Sequence, residues 1–427
     1  MKYRTIGSDP ATQRPVSVLS LGAMLMGSRT DEQTSFAILD RYVSAGGTFI
    51  DTSGNYAFWV NGTQGGESEE LLGRWRRSRG ISDSDQLVIA TKVGARPLAP
   101  SFSFDGPMDG LSAKAIRESA SRSMVRLGVS RLDLMYAHVE DPSVPLEETV
   151  GGFAELVASG EVGLLGVSNH WSWRVERARS VAGALDVPGY EVLQYHYTYL
   201  RQRADLRGRR SADGSPGVAR GDLLSLLRLE PGLTLVAYSP LLSGSYVRAD
   251  RPLGPEFEHA GTAPRLSALR AVAAETGATV NQVVLAWLMG GQVPVIPLVG
   301  ASSVAQLDES LAAVDLELSA AQQIRISVLA GQSYFARPAG FEPATRCLEG
   351  SCSVRLSYGR PEISVAGEDH ASATYGSQCV ATSALTGSPV YEQDAGAATP
   401  LGSAVQGVEA RQPHPRIGPG RVAQAAV

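Results

Sequence analysis

Cysteine is missing from the first 340 residues: Cys347, Cys352 and Cys379 all come later. That stretch therefore holds no disulfide and no thiol chemistry. Lysine is almost as scarce, present at positions 2, 92 and 114 alone. Arginine supplies nearly every other positive charge, so Lys92 marks a place where a compact ammonium is needed. No basic cluster interrupts the net charge of −5, which argues against nucleic acid or an anionic membrane as partner. The opening residues MKYRTIGSDP lack the apolar core of a signal peptide, and no run reaches transmembrane length; a cytoplasmic location is expected. No Gly-x-Gly-x-x-Gly follows the first apolar run, which disfavours an open doubly wound sheet.

What is present is a regular alternation. With 427 residues, 43% of them hydrophobic and 19% charged, the chain has room for one large domain or two or three ordinary ones. Eight apolar runs read as buried parallel strands: VLSLGAM, TFIDTS, LVIATKVG, LDLMYAHV, VGLLGVSN, YEVLQYHY, LTLVAYSP and VPVIPLVG. They are nearly continuous rather than alternating, as strands covered on both faces should be. Amphipathic segments of helical period separate them, with Asp31, Ser112 and Ser302 or Ser303 as N-caps and Gly46, Gly128 and Gly160 as stops. Eight such units predict a (β/α)₈ barrel with a last helix over 319–330.

From about residue 336 the pattern stops. RPAGFEPATRCLEGSCSVRLSYGRPE and the Ala-, Gly-, Ser- and Pro-rich remainder show no sustained apolar period. Such a segment buries too little apolar surface to offset its ordering entropy. The expected organisation is a barrel over 1–335 and a low-complexity, disordered tail over 336–427. GFEPATRCLEG followed by LSYG also resembles the conceptual translation of the antisense strand of a transfer-RNA gene. On that reading the tail is a read-through product; a genuine disordered tail is the other. Cys347 and Cys352 have no partner ligands nearby in sequence, so no metal site is expected.

In a barrel, function gathers at the C-terminal ends of the strands. GGTFIDTSGNY ends a core strand on Asp51 and places a phenol, Tyr56, five residues on. A buried carboxylate is costly unless paired, and Lys92 on the neighbouring strand can pair with it. His138 ends the next strand, Ser168 and Asn169 the fifth, Gln194 the sixth, Tyr238 and Ser239 the seventh. Each has a bland reading: a turn cap for Asp51, packing for Tyr56, a core-edge lysine, a structural histidine. Their coincidence at consecutive strand ends favours the functional one.

These motifs resemble the aldo-keto reductases, a (β/α)₈ family of oxidoreductases that use nicotinamide cofactors. FIDTSGNY, ATKVG, LDLMYAH, GVSN, LQYHY, AYSPL and PLVGASS carry the resemblance, which spans the barrel and none of the tail. It implies a catalytic tetrad of Asp51, Tyr56, Lys92 and His138. Tyr56 would be the general acid for carbonyl reduction, with its phenol lowered by Lys92; an ammonium about 4 Å away is worth roughly 4 kcal/mol at intermediate dielectric. Asp51 would hold Lys92, and His138 would supply an N–H towards the substrate oxygen. The resemblance also assigns Ser168, Asn169 and Gln194 to the nicotinamide carboxamide and Tyr238 to stacking on its ring. Gly22 and Met24 would line that end, Ser239, Leu241 and Ser243 the pyrophosphate, and Gly300, Ser302, Gln306 and Glu309 the adenosine end. NADP is the family default. The segment GASSVAQLDES has no Lys or Arg to hold a 2′-phosphate, so NAD or dual use stays open.

Substrate choice belongs to the mouth loops. AFWVNGTQGGESEE offers Phe58 and Trp59 beside the acid, as an aromatic platform or as a loop anchor. The segment 201–221 reads as a solvated insertion, and 244–264 as a covering loop contributing Tyr246 and Phe257. A small carbonyl compound is the expected partner, with no nucleic acid, no membrane and an unassigned oligomeric state. A second reading is a cofactor-sensing binding subunit, as in the potassium-channel β subunits that share fold and tetrad. The aromatic mouth loop favours the enzyme.

Overall fold

The computed structural model describes residues 1–329 except 84–85, 204, 206–213, 292 and 294. The expected tail, 336–427, lies outside the described residues, as do residues 204 and 206–213 of the 201–221 insertion. Eight parallel strands close a barrel: β3 (Ser20–Gly22), β4 (Phe49–Asp51), β5 (Val88–Val93), β6 (Leu132–Ala137), β7 (Val162–Ser168), β8 (Val192–His196), β9 (Thr234–Tyr238) and β10 (Val295–Gly300). Each corresponds to one of the eight apolar runs. β10 pairs with both β9 and β3 and so closes the ring.

The sequence reading missed an antiparallel hairpin before the barrel, β1 (Tyr3–Ile6) with β2 (Arg14–Ser17). Its strands are four residues long and carry Arg and Thr, below the length at which an apolar run is legible. Ile6 and Val16 pack with Phe49, Val88, Leu134 and Ile296 in the barrel interior. Arg4 donates to the carbonyls of Val295 and Met289. The hairpin thus plugs the N-terminal end of the barrel and leaves the other end open.

The outer layer includes α1 (Glu32–Ser44), α2 (Phe58–Asn61), α3 (Glu67–Arg79), α4 (Ala113–Leu127), α5 (Leu146–Ala158), α6 (Ser172–Ala184), α7 (Gly221–Leu229), α8 (Thr262–Thr276), α9 (Val280–Met289), α10 (Val304–Ala312) and α11 (Ala320–Leu329). Asp31 and Ser112 cap α1 and α4 by accepting from Thr34 and Ala115 amides. Of the two serines before α10, Ser303 is the cap. Among the described residues no helix is long and apolar enough to cross a membrane.

Candidate active site

The pleat decides which side chains reach the open end. Phe49, Ala90, Leu134, Leu164, Val192 and Val236 all belong to the cluster inside the barrel. Two residues further along each strand the side chain points inward again, which gives Asp51, Lys92, Tyr136, Gly166, Gln194 and Tyr238. One more step gives His138 and Ser168. The interior layer is therefore apolar, and the layer above it is polar. Gly166 is glycine for a local reason: a Cβ there would come within 2.4 Å of the Tyr136 ring.

Lys92 sits at the centre and is 1% exposed. Its Nζ donates to Asp51 Oδ1 at 2.5 Å, to the Thr52 carbonyl at 2.8 Å and to Tyr56 Oη at 3.1 Å. An ammonium has three N–H groups, and all three are used. Asp51 Oδ2 accepts from Gln194 Nε2 at 2.7 Å. His138 lies edge-on to Tyr56, with ring centroids 5.9 Å apart, and its Nδ1 meets Ser53 Oγ at 3.2 Å. Asp51, Tyr56, Lys92 and His138 are thus within one buried cluster.

Burial raises the Asp51 carboxyl above its usual range, with Lys92 and Gln194 pulling it back. Burial pulls Lys92 down, but the Asp51 and Tyr56 oxygens more than offset this, and the ammonium stays charged. Tyr56 departs from expectation. Desolvation raises its phenol above 10.0, and the ammonium recovers only part of that. The expected lowering counted the charge and omitted the complete burial of the hydroxyl. His138 falls well below 6.5 because of burial and then Lys92, so it is neutral.

Residues assigned to a cofactor occupy neighbouring strand ends. Ser168 and Gln194 are register partners on β7 and β8. Asn169 Nδ2 donates to the His138 carbonyl and to Ser168 Oγ, while Asn169 Oδ1 accepts from Tyr238 Oη at 2.9 Å. Gly22 ends β3, and Met24 just beyond it is 38% exposed. Ser239, Leu241 and Ser243 form the turn after β9. Asn169, Ser239, Leu242 and Ser243 all have left-handed backbone, with φ between 49° and 55°. Non-glycine residues in that region collect where function requires the geometry. At the start of α10, Gln306 Oε1 accepts from both the amide and hydroxyl of Ser302. Glu309 accepts from Thr279 and Asn281, which ties it to α9. Gly300 is exposed beside them. Arg41 of α1 reaches α10 but pairs with Asp308 at 2.7 Å. Amides and hydroxyls at one end, a left-handed turn, and a hydroxyl-lined helix N-terminus suit a nicotinamide dinucleotide.

The mouth holds one surprise. Phe58, read as pocket wall or anchor, is wholly buried and belongs to the anchor. Trp59 is half-buried and stands edge-on to Tyr56 at 5.9 Å. Phe104, in a loop that carried no sequence signal, packs against both, at 4.8 Å from Phe58 and 5.1 Å from Trp59. Tyr246 and Phe257, read as loop contributions, are core residues at 5% and 3% exposure. The Tyr246 hydroxyl is held by Thr198 and the Leu200 amide. Ser53 and Asn55, small polar residues after a strand, read in the sequence as turn formers, yet both are buried beside His138.

The chain is 30% identical over 334 residues to the oxidoreductase YrpG of Bacillus subtilis, covering 74% of this chain and 92% of the relative. It is 29% identical over 325 residues to the norsolorinic acid reductase stcV of Emericella nidulans, covering 71% and 76%. A crystal structure of the thermostable aldo-keto reductase Tm1743 with the inhibitor epalrestat superposes with a TM-score of 0.58 at 25% identity, covering 77% of this chain and all of that one. The aldo/keto reductase family model matches residues 18–329. With this match over most of its length, the chain belongs to the aldo/keto reductase family of oxidoreductases.

Proposed function

We propose that the chain reduces an aldehyde or ketone with NADPH or NADH, using Tyr56 as the general acid. The observation that carries this reading is the use of the Lys92 ammonium. With its third N–H donated to Tyr56 Oη, the phenol's own proton is free to go to a substrate oxygen, and the ammonium beside it stabilises the phenolate left behind. A bound nicotinamide would supply the hydride. Ser168, Asn169 and Gln194 would hold its carboxamide, Tyr238 its ring, and Gly22 and Met24 that end of the site. The turn at Ser239, Leu241 and Ser243 would take the pyrophosphate. Gly300, Ser302, Gln306 and Glu309 would take the adenosine end. Trp59 and Phe104 offer flat apolar faces, which suits an aryl carbonyl substrate.

The test is oxidation of NADPH and of NADH at saturating aromatic aldehyde by the unmodified protein and by Tyr56→Phe. Loss of the acid should lower kcat by at least about 100-fold. NADH should work within about tenfold of NADPH, because the adenosine end lacks a cation for the 2′-phosphate. Equal slow rates in both proteins would remove Tyr56 as the acid and leave a cofactor-sensing binding subunit.

A further inference from the structure

Asp51 and Lys92 stand on neighbouring strands, but Tyr56 stands on neither. It is carried by the loop that runs from β4 towards α3, and its place beside Lys92 depends on how that loop is held to β5. At the start of the loop the Gly54 amide donates to the Lys92 carbonyl at 3.2 Å. At its end the Gly66 amide donates to the Tyr56 carbonyl at 2.8 Å. Two buried side chains in the first turn of α3 add to these ties. Ser68 Oγ donates its one proton to the Ala23 carbonyl at 2.7 Å, so it accepts from Thr52 Oγ1 at 2.8 Å. Glu69 is the other.

Glu69 is 0% exposed. Its Oε1 accepts from Thr91 Oγ1 at 2.5 Å, one residue before Lys92 on β5. Its Oε2 accepts from Arg126 Nη1 at 3.0 Å, out of the last turn of α4. A carboxylate buried this deeply needs a cation, and among the described residues Arg126 alone supplies it. The same Nη1 lies 3.4 Å from the Gly54 carbonyl. The guanidinium also rests on the backbone at the far end of the loop: a Cβ on Gly66, whose φ is 113°, would come within 2.5 Å of Arg126 Cζ. One guanidinium therefore touches both ends of the loop that carries Tyr56, while its counter-ion is fixed to the strand that carries Lys92. Arg122, a turn earlier on α4, is committed elsewhere and faces Asp109 at 3.5 Å.

We propose that Glu69 and Arg126 are positioning residues for proton donation: their ion pair sets the distance from Lys92 Nζ to Tyr56 Oη, 3.1 Å in this structure. The proposal rests on the reductase reading, because the pair acts through Tyr56. Loosening it frees the loop to shift on β5, and Tyr56 loses contact with the ammonium that stabilises its phenolate. Proton transfer then slows. Lys92 and Asp51 stay paired, since β4 and β5 are held by their own ladder and by β6. Neither Glu69 nor Arg126 is among the residues assigned to the cofactor, so the effect falls on the acid and leaves cofactor binding alone. An offset of about 1 Å in a reacting group is enough to cost about 100-fold in rate.

Two variants of the full chain test it. Arg126→Lys keeps a positive charge beside Glu69, but a single ammonium does not reproduce the planar fork that reaches Glu69 and Gly54 together. Glu69→Gln combined with Arg126→Met leaves no buried charge unpaired, which guards against a loss of fold. Each is assayed with NADPH and a saturating aromatic aldehyde, alone and in the Tyr56→Phe background. With Tyr56 present, each should lower kcat by at least about tenfold, with a larger solvent isotope effect as proton transfer becomes limiting. The Kd for NADPH, read from protein fluorescence, should stay within about twofold. In the Tyr56→Phe background neither should lower the residual rate further, because no acid is left to position. Equal losses in both backgrounds, or no loss with Tyr56 present, would overturn the proposal and leave a purely structural ion pair. Failure of the reductase reading looks different: Tyr56→Phe by itself would then turn over as fast as the unmodified protein, and the proposal would fall with it.

Discussion

At the scale of the residue, two opposing effects meet on Tyr56, and burial wins. The ammonium 3.1 Å away favours the phenolate, yet removing the hydroxyl from water disfavours it more, and the phenol sits above 10.0. A general acid must be protonated to act, so a raised value keeps the acid form populated to higher pH. Reductive kcat/KM should therefore stay flat through neutral pH and decline only above 10.0, the ordinary phenol value. His138, held well below 6.5, adds no acidic limb near that value. A pH–rate profile with a break near 6.5, or a basic limb well below 10, would contradict this balance. Asp51 and Lys92 were legible because charges at the ends of apolar strands have few other reasons to be there. The direction of the Tyr56 shift was not, since sequence shows which charge is near and not how much water has been excluded.

At the scale of the element, the mouth loop divides its labour between adjacent aromatics. Phe58 begins the four-residue α2 with no exposed surface, whereas Trp59 is half-buried next to the acid. Phe58→Ala should destabilise the protein by about 3–5 kcal/mol, as a cavity in a packed site does, seen as a lower midpoint in denaturant. Trp59→Ala should leave that midpoint nearly unchanged and raise KM for aryl substrates. If both variants lost stability equally, Trp59 would be an anchor as well. The barrel strands were readable because each is a continuous apolar run, and the longer helices because caps such as Asp31 and Ser112 punctuate them. A single turn such as α2 shows no period to read, and Phe104 joins its partners only through a contact between loops.

At the scale of the whole molecule, the hairpin closes one end of the barrel and the polar layer opens at the other. Every residue given a part in the chemistry precedes residue 310, and the family match ends at residue 329. A chain ending after Ala336 should then fold, bind and turn over as the longer one does. Its thermal midpoint should match that of the full chain, with kcat/KM within about twofold, well inside one hydrogen bond's worth. NADPH at about 100 times its Kd should add about 2.7 kcal/mol of stability to both, and equally to Tyr56→Phe, because the phenol proton is needed for transfer and not for binding. A cofactor-induced shift seen in the full chain alone would put part of the binding site beyond Ala336. A shift lost in Tyr56→Phe would instead show that the phenol holds the cofactor, and its turnover defect could no longer be assigned to proton donation.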